Sequence, residues 1–244
     1  MESCENAFYA LAGPIGNLQD LSFRVKAILE KVDYVFCEDT RVTSKLLKHL
    51  NLHKELISCN AHSEQSRAIK ALEILDSKKS IAYLSDAGCP GISDPGNLLV
   101  KEISEQGHLV IPVPGPSAIT CLLSACGFDL SNGFYFCGFL PRQSSKFIKL
   151  FEQFSELKIP ICAFESPHRI RKSLELLQQN FPEAELCIGR ELTKLYEEII
   201  RGKASELKIE DVKEKGEFVL VLKPENLFQK KEKKNKYSQF SKVD

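Results

Sequence analysis

The segment from Ser85 to Gly96 constrains the fold of this chain more than any other stretch. The four residues before it, Ile81–Leu84, are all apolar and are typical of a buried parallel strand. The segment itself contains three glycines and two prolines, which exclude both a strand and a helix. We expect Asp94 to cap the helix that follows, with Pro95 at its first position. A loop of this kind at the carboxyl end of a parallel strand is where open α/β sheets bind ligands.

Strand-like runs alternate with helical periodicity along the chain, which favours an α/β fold with βαβ units and parallel sheets. We expect one helix to begin at Asp20 and another to cover Glu64–Leu75 with Ile69 facing inward. Three prolines stiffen the crossing between residues 112 and 117. We therefore predict an N-terminal α/β domain over 1–115, a C-terminal α/β domain over 116–224 and a tail over 225–244.

Charge is spread unevenly, although the 244 residues carry no net charge overall. From Lys223 to Asp244 there are seven lysines against three acids, so we expect a disordered basic tail behind an acidic body. Such a body is not that of a general nucleic-acid binder, and any RNA affinity must come from a local basic patch or from the tail. The tail lysines either add non-specific attraction for RNA or have no role.

Nine cysteines are scattered through the chain, and no two are spaced as C-x-x-C. This pattern favours reduced thiols in a cytoplasmic protein over a disulfide framework or a metal site. No apolar run approaches the roughly 18 residues of a membrane span, and the acidic first residues do not resemble a secretory signal.

Charged clusters follow several of the predicted strands. Glu38-Asp39-Thr40-Arg41 ends the second strand. It is either an exposed turn in which Asp39 or Thr40 caps a helix, or a functional cluster in which Arg41 is available for a phosphate. His62, after the third strand, is a proton acceptor, a phosphate contact or a structural residue.

Basic side chains follow the strands of the second half. Each alone is consistent with an ordinary surface charge, but together they fall on the same edge of the second sheet. The groups that we predict to contact phosphates, with Arg41 from the first half, are Arg41, Arg142, Lys146, Arg169 and Arg171.

Seven motifs carry a resemblance to the ribosomal RNA small subunit methyltransferase I family, within the tetrapyrrole methylase superfamily. In chain order they are Gly13-Pro14-Ile15-Gly16-Asn17-Leu18, Glu38-Asp39-Thr40-Arg41, Ser85-Asp86-Ala87-Gly88 with Ile92-Ser93-Asp94-Pro95-Gly96, Pro114-Gly115-Pro116-Ser117, Gly138-Phe139-Leu140-Pro141, Glu165-Ser166-Pro167-His168-Arg169 and Arg190-Glu191-Leu192-Thr193-Lys194. The chain departs from the family in its first loop, which begins Ala12-Gly13 where the family usually has a threonine before Pro-Ile-Gly, and at Cys89, where threonine is usual. It also has the basic tail where many members have a further helical domain.

The resemblance implies a class III methyltransferase fold, in which two α/β domains enclose a cleft that holds S-adenosylmethionine. It implies 2′-O-methylation of a cytidine ribose in the decoding region of 16S rRNA, and a homodimer. The residues that it places at the cofactor are Gly13, Pro14, Asp86, Ala87, Gly88, Ile92, Ser117 and Ala118, with Glu165, Glu191, Leu192 and Thr193 at the adenine end.

The acceptor hydroxyl is a poor nucleophile until its proton is leaving, so a nearby base is expected. The candidates are Glu38, Asp39 and His62, because the first two end a strand beside the cofactor loops and the third follows the next strand. Two other functions stay open: methylation of a small molecule such as a corrinoid precursor, and a non-catalytic RNA- or nucleotide-binding module.

Overall fold

A computed structural model describes residues 6–224 of the chain. The chain divides into two compact units, Met1–Ala118 and Ile119–Asp244. The predicted domain boundary lies three residues before this division. The predicted tail over 225–244 lies outside the described residues.

The first unit is a five-stranded parallel sheet with helices on both faces. Its strand order is β3-β2-β4-β1-β5. Its elements are β1 (Ala7–Leu11), α1 (Phe23–Lys31), β2 (Tyr34–Cys37), α2 (Thr40–His49), β3 (Glu55–Ser58), α3 (Glu64–Asp76), β4 (Ile81–Leu84), α4 (Asn97–Glu105) and β5 (Leu109–Val113).

Two separate cores hold these helices to the sheet. On one face, Val25 and Leu29 of α1 and Leu46 of α2 pack against the strands. On the other face, the apolar stripes of α3 and α4 pack around Phe8 and Tyr83. Because both faces are covered, the central strands are apolar at every position, which is the pattern that made Ile81–Leu84 predictable.

The second unit contains a mixed sheet rather than the predicted parallel one. Its strand order is β6-β7-β10-β8-β9, and β10 runs antiparallel to both of its neighbours. Its elements are α5 (Ala118–Ala125), β6 (Tyr135–Phe139), α6 (Ser144–Leu157), β7 (Ile161–Glu165), α7 (Ile170–Asn180), β8 (Glu185–Arg190), β9 (Glu198–Lys203) and β10 (Phe218–Lys223).

Strands β6, β7 and β8 nevertheless point in one direction. β6 is parallel to β7, and β10 is antiparallel to both β7 and β8. The carboxyl ends of these three strands therefore lie at one edge of the sheet, as the sequence predicted.

Three local predictions were wrong. Helix α1 is capped by the hydroxyl of Ser22, which accepts from Val25 N, because Asp20 ends a short 3-10 turn. Helix α4 starts at Asn97 behind Gly96, and Asp94 is not its cap. Ile69 is 58% exposed, because α3 buries Ala68, Ala71, Ile74 and Leu75 instead.

The eight cysteines among the described residues are free thiols. Within residues 6–224, no helix has both the length and the apolar character needed to cross a membrane.

Candidate active site

The candidate site lies where β1 and β4 end, side by side in the first sheet. The connection after β1 leads towards β2, whereas the connection after β4 leads the opposite way, across β1 to β5. The two connections cross on opposite faces of the sheet, with α1 on one face and α4 on the other. Loops at the carboxyl ends of parallel strands are the usual ligand site of such sheets. The two loops that line this point are the predicted cofactor loops.

A backbone hydrogen bond joins these two loops. Gly13 N donates to Gly88 O at 2.8 Å, and Ser85 Oγ lies 3.3 Å from the same oxygen. Gly88 has a φ of +76°, in the left-handed region that favours glycine. Gly13 and Gly88 are buried, whereas Asp86 and Ala87 at the tip of the second loop are exposed. The loops therefore present backbone and one carboxylate to a ligand.

The glycine loop is fixed at its far end by a contact that the sequence did not predict. Oε1 of Glu64, the first residue of α3, accepts from Gly96 N, Leu98 N and Leu99 N at 2.9, 2.8 and 3.2 Å. These amides open α4 and have no partner within their own helix. Glu64 lies 32 residues before Gly96, so no local capping pattern could have revealed it.

An acidic pocket adjoins the glycine loop. It has a volume of about 360 Å³ and opens to solvent at the carboxyl ends of β2, β3 and β4. Its lining residues are Glu38, Asp39, Thr40, Arg41, Ser58, Asn60 and Asp86. The pocket thus brings together two of the three predicted base candidates, the predicted phosphate contact Arg41 and the predicted cofactor contact Asp86.

Asp39 and Arg41 are engaged with each other. The Asp39 carboxylate accepts from the Arg41 backbone N at 2.8 Å, as the cap of α2, and from Arg41 Nη2 at 2.6 Å. These hydrogen bonds to Arg41 lower the pKa of Asp39 to about 2. Asp39 N in turn donates to Asp86 Oδ1 at 3.1 Å. An aspartate with so low a pKa is a weak proton acceptor.

The pKa of Glu38 is shifted in the opposite direction from that of Asp39. Burial raises the pKa of Glu38, and the neighbouring charge of Asp86 raises it further. Burial likewise raises the pKa of Asp86, which lies beside Asp39. A carboxylate whose ionisation is opposed by burial and by a neighbouring carboxylate attracts a cationic ligand or holds a proton.

His62 does not line this pocket. It is exposed, and its backbone N donates to Asn60 Oδ1 at 3.1 Å in a turn that leads into α3. Its predicted role as a base stays a prediction.

The remaining predicted cofactor contacts of the first unit differ in exposure. Ile92 is 43% exposed in the glycine loop. Pro14, Ser117 and Ala118 are half-buried, the last two in the segment just after β5.

In the second unit, Glu165 is enclosed by protein partners. Its side chain is fully buried at the end of β7. It accepts from Ser173 Oγ at 2.5 Å, from Ser166 N at 2.8 Å and from Arg169 Nη2 at 3.2 Å. Arg169 also donates to Leu140 O at 2.6 Å. Glu165 and Arg169 therefore connect the chain after β6 to β7 and α7.

The loop after β8 has an unusual backbone. Glu191 and Thr193 have φ values of +51° and +67°, which side-chain-bearing residues rarely adopt, and Leu192 between them is buried. Glu191 Oε1 accepts from Glu217 N at 2.9 Å and from Lys194 Nζ at 3.0 Å. Burial alone would raise the pKa of Glu191, but these two donors outweigh it and hold the pKa below its usual value. Strain of this kind is common in ligand-binding loops.

The predicted phosphate contacts fall into two groups. Arg41, Arg142 and Lys146 have exposed side chains. Arg169 is held as described above, and Arg171 donates to Glu210 O and Val212 O and pairs with Glu214 at 3.3 Å. The first group is better placed to meet a phosphate.

The first-unit loops fit S-adenosylmethionine. The crevice offers backbone and small side chains for close approach, the apolar Ile92 in the same glycine loop, and the carboxylate of Asp86 for a cationic ligand. The sequence lacks the glycine and lysine pattern with which P-loop proteins bind nucleoside triphosphates.

Comparison with known proteins agrees with this geometry. Residues 7–208 match the family model of the tetrapyrrole (corrin/porphyrin) methylases. A ribosomal RNA small subunit methyltransferase I from Neisseria meningitidis serogroup B is 40% identical over 220 residues, which cover 88% of this chain and 75% of that protein. Its counterpart from Borrelia garinii subsp. bavariensis is 42% identical over 88% of this chain and 97% of its own length.

Solved structures share the fold at much lower identity. The methyltransferase CobJ superimposes with a TM-score of 0.65 at 16% identity, over 89% of this chain and 94% of its own. Diphthine synthase superimposes with a TM-score of 0.67 at 13% identity, over 89% and 90%. The fold is that of the class III methyltransferases. The chain therefore belongs to the ribosomal RNA small subunit methyltransferase I family of the tetrapyrrole methylases, and it is a methyltransferase whose donor is S-adenosylmethionine.

Proposed function

We propose that this protein methylates the 2′-hydroxyl of a cytidine ribose in the decoding region of 16S rRNA, in the small ribosomal subunit, as a cytoplasmic homodimer. The observation that carries the proposal is the acidic pocket beside the paired glycine loops, in a chain about 40% identical to proteins named for this rRNA. The methyltransferase CobJ and a uroporphyrin-III C-methyltransferase are each only 16% identical to this chain.

The first-unit loops hold the donor in this proposal. Gly13, Gly88 and Ala87 offer their backbone, Ile92 an apolar surface and Asp86 a carboxylate. The bound donor supplies a methyl group on a positively charged sulfur, an electrophile that is already activated. The task left to the protein is to orient the acceptor oxygen, which can lower the barrier by several kcal/mol, and to remove its proton.

Glu38 is the residue that we assign to this proton. Its carboxylate takes the proton of the 2′-hydroxyl as the oxygen attacks, and the raised pKa of Glu38 brings it closer to working pH than an ordinary glutamate. Asp39 is the poorer candidate because its carboxylate is already bound to Arg41. Asp39 instead orients Arg41 towards solvent, where the guanidinium can meet a phosphate.

The deciding experiment is methyl transfer from radiolabelled S-adenosylmethionine to small subunits isolated from a strain that lacks the protein. Mass-spectrometric mapping then locates the methyl group. The proposal expects one methylated cytidine ribose in the decoding region. Label on a base, on another region of the rRNA or only on a small molecule would contradict it.

A further inference from the structure

A solvent-exposed aromatic ring ends the edge strand of the second sheet. Phe139, the last residue of β6, is 55% exposed. One part of its ring packs against Phe164 of β7, with the ring centroids 5.8 Å apart. Phe164 is in turn held edge-on by Phe136 at 5.2 Å. The exposed ring is therefore backed by aromatic neighbours.

The backbone of Leu140, the residue after Phe139, is fixed by hydrogen bonds to β7 and to Arg169. Leu140 N donates to Phe164 O at 3.2 Å, and Leu140 O accepts from Arg169 Nη2 at 2.6 Å. Arg169 is itself bound to the buried Glu165. A rigid, well-supported ring binds a flat partner at a small entropic cost.

Two exposed cations follow the ring closely in the chain. Arg142 lies three residues after Phe139, and Lys146 lies in the first turn of α6. This first turn contains no acidic residue. Neither cation forms an ion pair within the described part of the chain. The nearest acid along β7, Glu165, is buried and already paired. We call Phe139, Arg142 and Lys146 the Phe139 surface.

We propose that the Phe139 surface binds single-stranded RNA, with an unpaired base stacked on Phe139 and the adjoining phosphates held by Arg142 and Lys146. Proteins bind unpaired nucleotides by stacking bases on aromatic rings and holding the backbone with cations, and here the two exposed cations follow the exposed ring within seven residues of chain. This rests on the proposed function, since it supplies a grip on the acceptor RNA apart from the donor loops.

A second copy of the chain fits this surface less well. Burying Arg142 and Lys146 against an identical surface would place like charges together without water, which is unfavourable. RNA phosphates would neutralise both cations.

The test compares binding of a short, fluorescein-labelled, cytidine-containing single-stranded RNA with binding of polyphosphate, which carries charge but no bases. We expect Phe139→Ala to weaken RNA binding roughly tenfold or more and to leave polyphosphate binding unchanged. Phe139→Tyr restores RNA binding, since it keeps the ring. Arg142→Gln weakens binding of both ligands and reduces the salt slope by about one.

Matched controls lie at the other end of α6. Leu157→Ala removes a side chain of equal exposure, 54%, and Lys158→Gln removes an exposed lysine. Neither should change RNA affinity. Calorimetry with S-adenosylmethionine should give the same donor affinity for every variant.

Equal RNA affinity of Phe139→Ala and the unchanged protein would overturn the proposal. Sedimentation of the Phe139→Ala protein gives a second check. If this variant is monomeric and its RNA affinity per protomer is unchanged, the ring belongs to a protein interface, and the proposal is again overturned. Failure of the proposed function gives a different result: no transfer of methyl groups to small subunits by the unchanged protein.

Discussion

Glu64 Oε1 accepts a hydrogen bond from Leu98 N at 2.8 Å, although the two residues belong to different helices. Because the same oxygen also accepts from Gly96 and Leu99, the start of α4 and the end of the glycine loop depend on a side chain from α3. The loop that presents Asp86 is thus anchored at both ends, by Gly13 N at one and by Glu64 at the other.

Replacing Glu64 with alanine should therefore affect both stability and donor binding. Glu64→Ala leaves three amides without their acceptor, and we expect it to lower the free energy of unfolding by about 2 kcal/mol, measured in urea. The loosened loop should also bind S-adenosylmethionine more weakly in calorimetry. Glu105→Ala, at the exposed end of α4, is the control and should change neither quantity.

Gly88 and Gly107 form a natural pair for separating strain from ligand contact. Their φ values are +76° and +81°, so alanine at either position costs about 1–2 kcal/mol of strain. Gly107 has open space where a Cβ would stand, at the end of α4. We expect Gly88→Ala and Gly107→Ala to lower Tm alike, but only Gly88→Ala to weaken binding of S-adenosylmethionine. An equal loss of donor affinity in the two variants would contradict the assignment of the first-unit loops to the donor site.

Glu38→Gln tests the proposed base. We expect turnover of small subunits to fall roughly 10²- to 10⁴-fold with unchanged donor affinity. In the unchanged protein, the acid limb of the pH–rate profile should lie above pH 4.5, the usual pKa of a glutamate, since the pKa of Glu38 is raised.

The same variant has a stability signature of defined sign. A carboxyl group with a raised pKa in the folded state favours the fold most below its ordinary pKa, and the contribution is lost as the pH rises through the folded pKa. At neutral pH, Glu38→Gln should therefore raise Tm, with the difference disappearing below pH 4.5. A Glu38→Gln protein with full turnover would leave His62 as the predicted base to test.

Arg41→Gln should release Asp39. With its partner removed, the pKa of Asp39 should move from about 2 towards the usual 3.8, as followed by NMR titration of the carboxyl carbon. The pair stabilises the fold above pH 3.8, and this contribution is lost as the pH falls towards 2. The variant should therefore be less stable than the unchanged protein at neutral pH and equal to it only well below pH 2, where Asp39 is protonated in both proteins. Arg24→Gln, on α1, is a control substitution that should leave the pKa of Asp39 in place.

Glu165→Gln tests the support beneath the Phe139 surface. The substitution keeps the shape of the side chain but removes the charge that faces Arg169, so we expect a loss of about 2 kcal/mol in urea unfolding. Glu185→Gln, which breaks an exposed pair with Lys223, should cost less than about 1 kcal/mol. Similar losses for the two variants would mean that the buried pair contributes no more than a surface one.

Most strands were predictable because they are short apolar runs followed by turn residues, and Ile81–Leu84 was predicted at its observed limits. Helix α5 was missed because Ala118–Ala125 spans only eight residues and is apolar at most of them, and a short apolar run is typical of a buried strand as well as of a buried helix. The antiparallel pairing of β10 was missed because an apolar strand reads the same in either direction.

For the site, strand ends drew attention to Glu38, Asp39, Arg41 and Asp86, which line the acidic pocket, but side-chain pairings decide their chemistry. Nothing in the order of residues could show that Asp39 is bound to Arg41 while Glu38 is not, or that Glu165 is enclosed by Ser173 and Arg169. Such differences arise from side-chain positions that the tertiary structure sets.

The central place of β10 bears on the order in which a ribosome can complete this fold. The first sheet draws only on residues 7–113, so its hydrogen bonds can form while the rest is still being synthesised. The second sheet cannot close until Phe218–Lys223 has left the exit tunnel, because that strand fills the gap between β7 and β8. Until then the facing edges of β7 and β8 have no neighbour, and nascent chains stalled shortly before this strand should be especially sensitive to proteolysis in their second half.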